Sequence, residues 1–195
     1  MALANYADLK SAVAKRVHRT DLASLMDDFV SLAEVRINSD ITHPRQEAVV
    51  TGTMATSVAL PSDAVSIRSL IWVSGTTRRT LQPLALEGYG AMNIAGSPEG
   101  YVIVSDTFRA IPYTSAGTYE LVYMKRWALG TTSTNWLMTN HPDVYLYATL
   151  IEVAQHTRES DAVEAWVQLY AAAKRNVDSS GDRTRWGGPI QIREG

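Results

Sequence analysis

The sequence contains no cysteine, which excludes disulfide bonds, thiol catalysis and thiolate metal sites. It also lacks any apolar run close to the roughly 20 residues that cross a bilayer, so we expect no membrane partner. Acidic and basic residues nearly balance, and the net charge of -2 argues against a strongly basic nucleic-acid binder. The first ten residues are too polar for a signal peptide. We therefore expect the protein to fold in the cytosol, or to act in a particle assembled there.

The common signatures of catalysis are missing as well. No two of the four histidines (His18, His43, His141 and His156) have the i, i+4 spacing of a helical zinc site, and each is expected at the surface or at a helix end. There is no P-loop and no GxSxG motif, and a GxGxxG-like run that starts at Gly88 lacks its last glycine. The sequence thus predicts no catalytic residue, no metal ligand, no cofactor and no enzyme.

What the sequence does contain is a core, since 46% of its 195 residues are hydrophobic. Residues 6–41 show apolar side chains at helical spacing, which predicts two helices. Thr20 or Asp21 is predicted to cap the second helix, and Pro44 marks where it stops. The apolar positions of these helices are Tyr6, Leu9, Val13 and Val17, then Leu25, Phe29, Leu32 and Ile37.

The middle of the chain has a different character, with eight of the twelve glycines and four of the seven prolines between Gly52 and Gly130. Short β-branched runs alternate there with turn residues. They predict one hairpin from 67–73 and 79–84, and a second from 101–104 and 108–113. The longest predicted strand, 118–127, alternates so that one face carries Tyr119, Leu121, Tyr123 and Trp127.

Helical patterns return in the last third. Residues 144–157 are apolar almost all round, which is typical of a buried helix. The last helix is predicted to begin at Asp161 and to stop at Gly181. Its apolar stripe consists of Trp166, Leu169, Tyr170, Ala173 and Val177.

Residues 182–195, which we call the C-terminal arm, have too few apolar side chains to fold alone, yet Trp186, Ile190 and Ile192 are unfavourable in water. In an extended conformation the two isoleucines fall on one side, a pattern that suits strand addition to a partner. Arg183 and Arg185 are expected to pair with acidic groups there.

These elements predict an α+β fold. A discontinuous four-helix bundle (residues 1–44 and 131–181) carries an inserted antiparallel β-rich domain (45–130) between its second and third helices, and the C-terminal arm follows. The predicted bundle core consists of Phe29, Leu32, Ile37, Leu146, Leu150, Trp166 and Tyr170.

Several runs resemble the head-to-tail adaptor (connector) proteins of tailed bacteriophages, especially short-tailed ones. The resemblance begins over 6–41, where 29–38 is similar to the second helix of that family. It continues at 58–63, in a "PsD" strand exit, and at 135–137 and 141–148, in an "NWL…HPDVYLYA" stretch. It covers nearly the whole chain, and residues 75–104 match least well.

The resemblance implies a structural protein of the virion neck. Such adaptors form a homo-oligomeric ring, typically of twelve copies, below the portal protein. The ring extends the channel through which viral DNA passes without sequence-specific binding, and it offers an attachment surface to the tail nozzle or another tail protein. Their C-terminal segments reach the portal. The alternatives are a neck or tail-completion component at a different layer, an accessory nucleic-acid-processing protein, and a monomeric ligand-binding module.

Overall fold

The computed structural model describes residues 3–19, 21–85, 95–130 and 134–186, the last five of these (182–186) through their backbone alone. The chain divides into two compact units. The helical unit comprises Met1–Arg45 and Trp127–Gly195, and the β unit comprises Gln46–Arg126. The protein is therefore α+β, and its helical unit draws on both ends of the chain.

Five α-helices make up the described part of the helical unit. They are α1 (Tyr6–Val17), α2 (Met26–Asp40), α3 (Trp136–Asn140), α4 (Pro142–Thr157) and α5 (Ser160–Trp186). Local chemistry sets several of their ends. The Asn5 side chain accepts a hydrogen bond from the Asp8 backbone N–H at 3.0 Å and so caps α1, and Pro142 occupies the first turn of α4, where its missing N–H costs nothing.

Helix α4 is the centre of the helical unit, because α1, α2, α3 and α5 all pack against it. This position explains why its sequence is apolar almost all round. Burying one large aliphatic side chain contributes about 1.5–3 kcal/mol, so α4 supplies much of the stabilisation of this unit. The buried residues include five of the predicted core positions, namely Phe29, Ile37, Leu146, Leu150 and Tyr170.

Two of the predicted core positions are not in the core. Leu32 is 53% exposed, because Val30, Ala33 and Ile37 form the face of α2 that is buried. Trp166 is only partly buried at the edge of the core, where its ring stacks on Tyr147 with 6.1 Å between centroids.

The last helix differs from its prediction in extent and in exposure. Leu169, which we assigned to the apolar stripe, is 41% exposed. The helix continues through Gly181 to Trp186, so the predicted stop is wrong, and so is an extended arm that starts at residue 182. Gly181 meets a different requirement, since a Cβ there would lie 3.1 Å from the His43 ring and 3.4 Å from Pro44. This glycine allows a close approach and does not end the helix.

The start of α2 also differs from the prediction. Asp21 does not cap the helix, because its carboxylate pairs with Arg19 at 2.6 Å. The N-cap position is Leu25, at the end of a 3-10 turn over Ala23–Leu25, and it makes no side-chain capping bond. Thr20, the other predicted cap, lies outside the described residues.

The described part of the β unit forms a seven-stranded sheet. Its strands are β1 (Glu47–Thr53), β2 (Val58–Ala59), β3 (Ala64–Ser74), β4 (Thr77–Pro83), β5 (Gly100–Val104), β6 (Thr107–Ile111) and β7 (Thr118–Lys125), in the order β1-β7-β3-β4-β5-β6-β2. Both predicted hairpins are confirmed as β3–β4 and β5–β6. The sheet is not wholly antiparallel, however, because β4 and β5 pair in parallel.

The core of the β unit lies on one face of the long strands. Leu70, Trp72, Leu81 and Leu121 are buried there, and the Trp72 indole N–H donates to the Ala116 carbonyl at 2.8 Å. Strand β7 follows the predicted alternation through Tyr123. Trp127 departs from it, because β7 ends at Lys125 and Trp127 is buried in the core of the helical unit.

Gly117 lies where the backbone of the β unit leaves no room for a side chain, which substitution can test. Its φ of 87° is unfavourable for any L side chain, and an added Cβ would collide with the Val73 carbonyl oxygen. We expect Gly117→Ala to lower the free energy of unfolding of the β unit by about 3 kcal/mol. Gly75→Ala is the matched control, because Gly75 has a φ of 57° and no neighbour within 4 Å, so only the backbone cost of about 1 kcal/mol applies. Urea unfolding followed through tryptophan fluorescence would measure both, and equal effects would contradict this assignment.

Candidate assembly interface

The polar side of α2 holds the segment that follows the β unit. We call residues 127–129 the return segment, because the chain re-enters the helical unit there. The Asn38 side chain accepts a hydrogen bond from the Trp127 backbone N–H at 2.7 Å and donates one to the Trp127 carbonyl at 2.8 Å. A carboxylate oxygen of Glu34 accepts from the Leu129 N–H at 2.7 Å. Two side chains one turn apart thus satisfy three backbone groups of the return segment.

Asn135 holds the same segment from its other side. Its oxygen accepts from the Met138 N–H at 2.8 Å and so caps α3. Its amide group donates to the Ala128 carbonyl at 3.1 Å and to the Tyr145 hydroxyl at 2.7 Å. Burial raises the pKa of Tyr145, so this hydroxyl stays neutral at physiological pH. The return segment is therefore bonded to α2 and to the start of α3 at once.

Further polar residues of α2 bind the neighbouring helices. The Arg36 guanidinium donates from Nε and Nη2 to one carboxylate oxygen of Glu152 on α4, at 2.9 and 2.7 Å. The Tyr170 hydroxyl of α5 donates to Asp40 at 3.1 Å. Burial, followed by the negative charge of Asp40, raises the pKa of Tyr170. Arg36 and Asp40 therefore hold α2 against α4 and α5.

His43 is fully buried, so the prediction that every histidine lies at the surface or at a helix end is wrong for it. Its ring stacks on Trp136 with 4.3 Å between centroids. Nδ1 accepts from the Arg45 N–H at 3.1 Å, which leaves Nε2 to bear the proton towards the Ser180 hydroxyl at 3.2 Å. This histidine joins the end of α2 to α5 and has a packing role.

The described part of the chain offers little for metal or membrane chemistry. It holds no group of three or more histidine, aspartate or glutamate residues that could bind a metal ion. Among the described helices, none is both long and apolar enough to cross a membrane.

Exposed apolar side chains are the more informative surface feature. On α2, Leu32 and Val35 are 53% and 70% exposed. On α5, Leu169 and Val167 are exposed to a similar, smaller extent. The β unit exposes Val49, Val65, Leu84 and Ile103. The three-residue spacing of Leu32 and Val35 was a partial signal of the exposed pair on α2, but the prediction placed Leu32 in the core.

The predicted binding residues of the C-terminal arm lie beyond Gly181, the last residue that the structure describes in full. The backbone of Arg183, Arg185 and Trp186 is helical, but their side chains are not described. Ile190 and Ile192 lie outside the described residues.

Comparison with protein families identifies the chain. The family model described as SU10 adaptor protein matches residues 4–193. The chain belongs to this family of phage head-to-tail adaptors. A search of curated proteins found no match. Family membership gives the protein a structural role as a phage adaptor, with head and tail proteins as its partners and the virion neck as its place. The adaptor's runs at 29–38 and 135–148 contain the residues that hold the return segment.

The half-buried Glu34 gives the adaptor a measurable pH dependence. Desolvation raises its pKa above the ordinary value of 4.5, although the Leu129 N–H opposes the shift. The folded chain then keeps this proton to higher pH than the unfolded chain, so this group's contribution to stability falls as pH rises through and above 4.5. Glu34→Gln retains an acceptor for Leu129 and cannot titrate. We expect the free energy of unfolding of the variant, relative to that of the wild type, to increase as the pH is raised from 4 to 7.

Urea denaturation of both proteins at the two pH values measures this difference. Glu152→Gln is the control, because it removes another carboxylate from the helical unit and breaks the ion pair with Arg36. A stability difference between Glu34→Gln and wild type that does not change with pH would show that burial has not shifted the Glu34 pKa.

Proposed function

We propose that this adaptor forms a homo-oligomeric ring, of twelve copies, below the portal protein. The ring extends the DNA channel and presents an attachment surface to the tail nozzle or another tail protein, and the DNA passes without sequence-specific recognition. The observation that carries the proposal is the family match over 4–193. A chain whose polar residues hold its own backbone, while apolar side chains remain exposed on α2, α5 and the β unit, suits an assembly component.

Within this proposal the helices α1, α2, α4 and α5 serve as a four-helix bundle core, and the β unit is its insertion. The bundle is the rigid part, since its polar groups are bonded within it. The β unit makes the lateral or tail-side contacts. Strand β1 forms one edge of the sheet, is seven residues long and carries Val49 at 63% exposure, and it contains neither lysine nor proline to discourage pairing.

The C-terminal arm is the proposed portal-binding segment. Its last nine residues follow the end of α5 at Trp186, and Gly181, five residues earlier, packs closely against the His43 ring. Beyond Trp186, the two glycines and the proline at 187–189 permit a sharp change of direction. Ile190 and Ile192 would add to a sheet edge or groove of the portal, and Trp186 would anchor the contact.

We expect the double substitution Ile190→Ser with Ile192→Ser to abolish binding to the purified portal protein and to leave the melting temperature unchanged. The two side chains supply the apolar contact, and no described core contact depends on them. Gln191→Ser is the matched control, since it changes the residue between them and should bind normally. Binding is measured by co-sedimentation with portal rings. Normal binding by the double variant would contradict the portal role of the arm.

A further inference from the structure

The outward face of α2 carries an apolar stripe that no described residue covers. Asp28, Leu32, Val35 and Ser39 follow one another at spacings of three and four, so they form one line along the helix. The line is about 16 Å long at 1.5 Å per residue. Val35 is the most exposed large apolar side chain in the described part of the chain. We call this line the α2 stripe.

A second line of the same kind runs along α5. Ala165, Leu169, Ala172 and Asn176 recur at the same spacing, and Leu169 is 41% exposed, while Ala165 and Asn176 are exposed too. We call it the α5 stripe. Its alanines form a shallow row, whereas the α2 stripe presents two large side chains, so the two surfaces are complementary in size.

The charges beside the two stripes are complementary too. Asp28 lies one turn before Leu32, and Arg175 lies three residues after Ala172; both are exposed. Within the described residues neither side chain forms a salt bridge. An antiparallel approach that brings Leu32 against Ala172 places Asp28 towards Arg175 and Val35 towards Leu169. In this antiparallel orientation the two helix dipoles point in opposite directions, which is electrostatically favourable.

We propose that the α2 stripe of one copy packs antiparallel against the α5 stripe of a second copy. The inference rests on the proposed ring and specifies its lateral contact. The contact joins two different surfaces, so it is heterologous, and repetition of a heterologous contact closes a ring or extends a filament. A growing chain of copies then has a free α2 stripe at one end and a free α5 stripe at the other. The β unit is left to bind tail components.

The absence of cysteine makes this contact simple to trap. In the full-length chain, Val35→Cys combined with Leu169→Cys places one thiol on each stripe. Treatment with a short bis-maleimide should yield a ladder of covalent dimers, trimers and larger products on a denaturing gel. Either single-cysteine variant should yield no product beyond the dimer. Val35→Cys with Val49→Cys is the matched control, because Val49 is comparably exposed but lies on the β unit.

A second measurement covers the case in which the cysteines react poorly. Leu32→Glu with Val35→Glu disables the α2 stripe, and Leu169→Glu with Ala172→Glu disables the α5 stripe. Each variant alone should remain monomeric in sedimentation and retain wild-type helicity. An equimolar mixture should form dimers that contain one copy of each, because one intact stripe of each kind remains.

The outcomes separate this contact from the proposed function. If the wild type assembles on the portal but the double-cysteine variant gives no ladder and the stripe variants assemble normally, the lateral contact lies elsewhere and the inference is overturned, while the ring stands. If the wild type stays monomeric even with portal rings present, the proposed function fails and the contact fails with it.

Discussion

The helical unit depends on the hydrogen bonds that α2 makes with the return segment, where the chain comes back from the β unit. A return segment with unpaired N–H and carbonyl groups would cost about 1–3 kcal/mol for each buried group left unsatisfied. Asn38 and Glu34 satisfy three part-buried groups of this kind, and Asn135 also bonds to the more exposed Ala128 carbonyl. Six residues separate this segment from α3, and one residue, His141, separates α3 from α4. The placement of the central helix thus follows from bonds made by α2.

Helix α2 divides its surface between two tasks. Its buried face packs on α4, and its polar flanks bind the return segment, Glu152 and Tyr170. Glu34, Arg36 and Asp40 are thus engaged in bonds within the chain. What remains for solvent is a stripe of two large apolar side chains between an aspartate and a serine. The buried face of α2 stabilises the helical unit, and its exposed apolar face is available for a partner. An assembly component requires both.

Local patterns in the sequence predicted much of the fold. The hairpins β3–β4 and β5–β6 were predictable because tight turns fix the register of neighbouring strands. Helix α4 was predictable because an all-round apolar helix must be buried. The exposure of Leu32 was not, since its three-residue spacing from Phe29 fits a buried face, whereas the helix buries Val30 and Ala33 and exposes Leu32. The parallel pair β4–β5 was missed because a parallel pair leaves no turn signal.

The candidate site was harder to predict than the fold. Asn38 and Glu34 bond to residues about ninety positions away, and no spacing rule reveals such contacts. His43 looked like a surface residue because its partners, Trp136 and Ser180, come from distant parts of the chain. Two of the runs that resemble the family, 29–38 and 135–137, contain Glu34, Asn38 and Asn135, which bond to the return segment.

Hydrogen exchange at the return segment tests this account most directly. The account predicts slow exchange of the Trp127 and Leu129 amides in the wild type, because Asn38 and Glu34 accept their hydrogens. In Asn38→Ala the Trp127 amide should exchange at least tenfold faster, while amides in the middle of α4 keep their protection. Fast exchange at Trp127 in the wild type, or a rate unaffected by the substitution, would contradict the role assigned to α2.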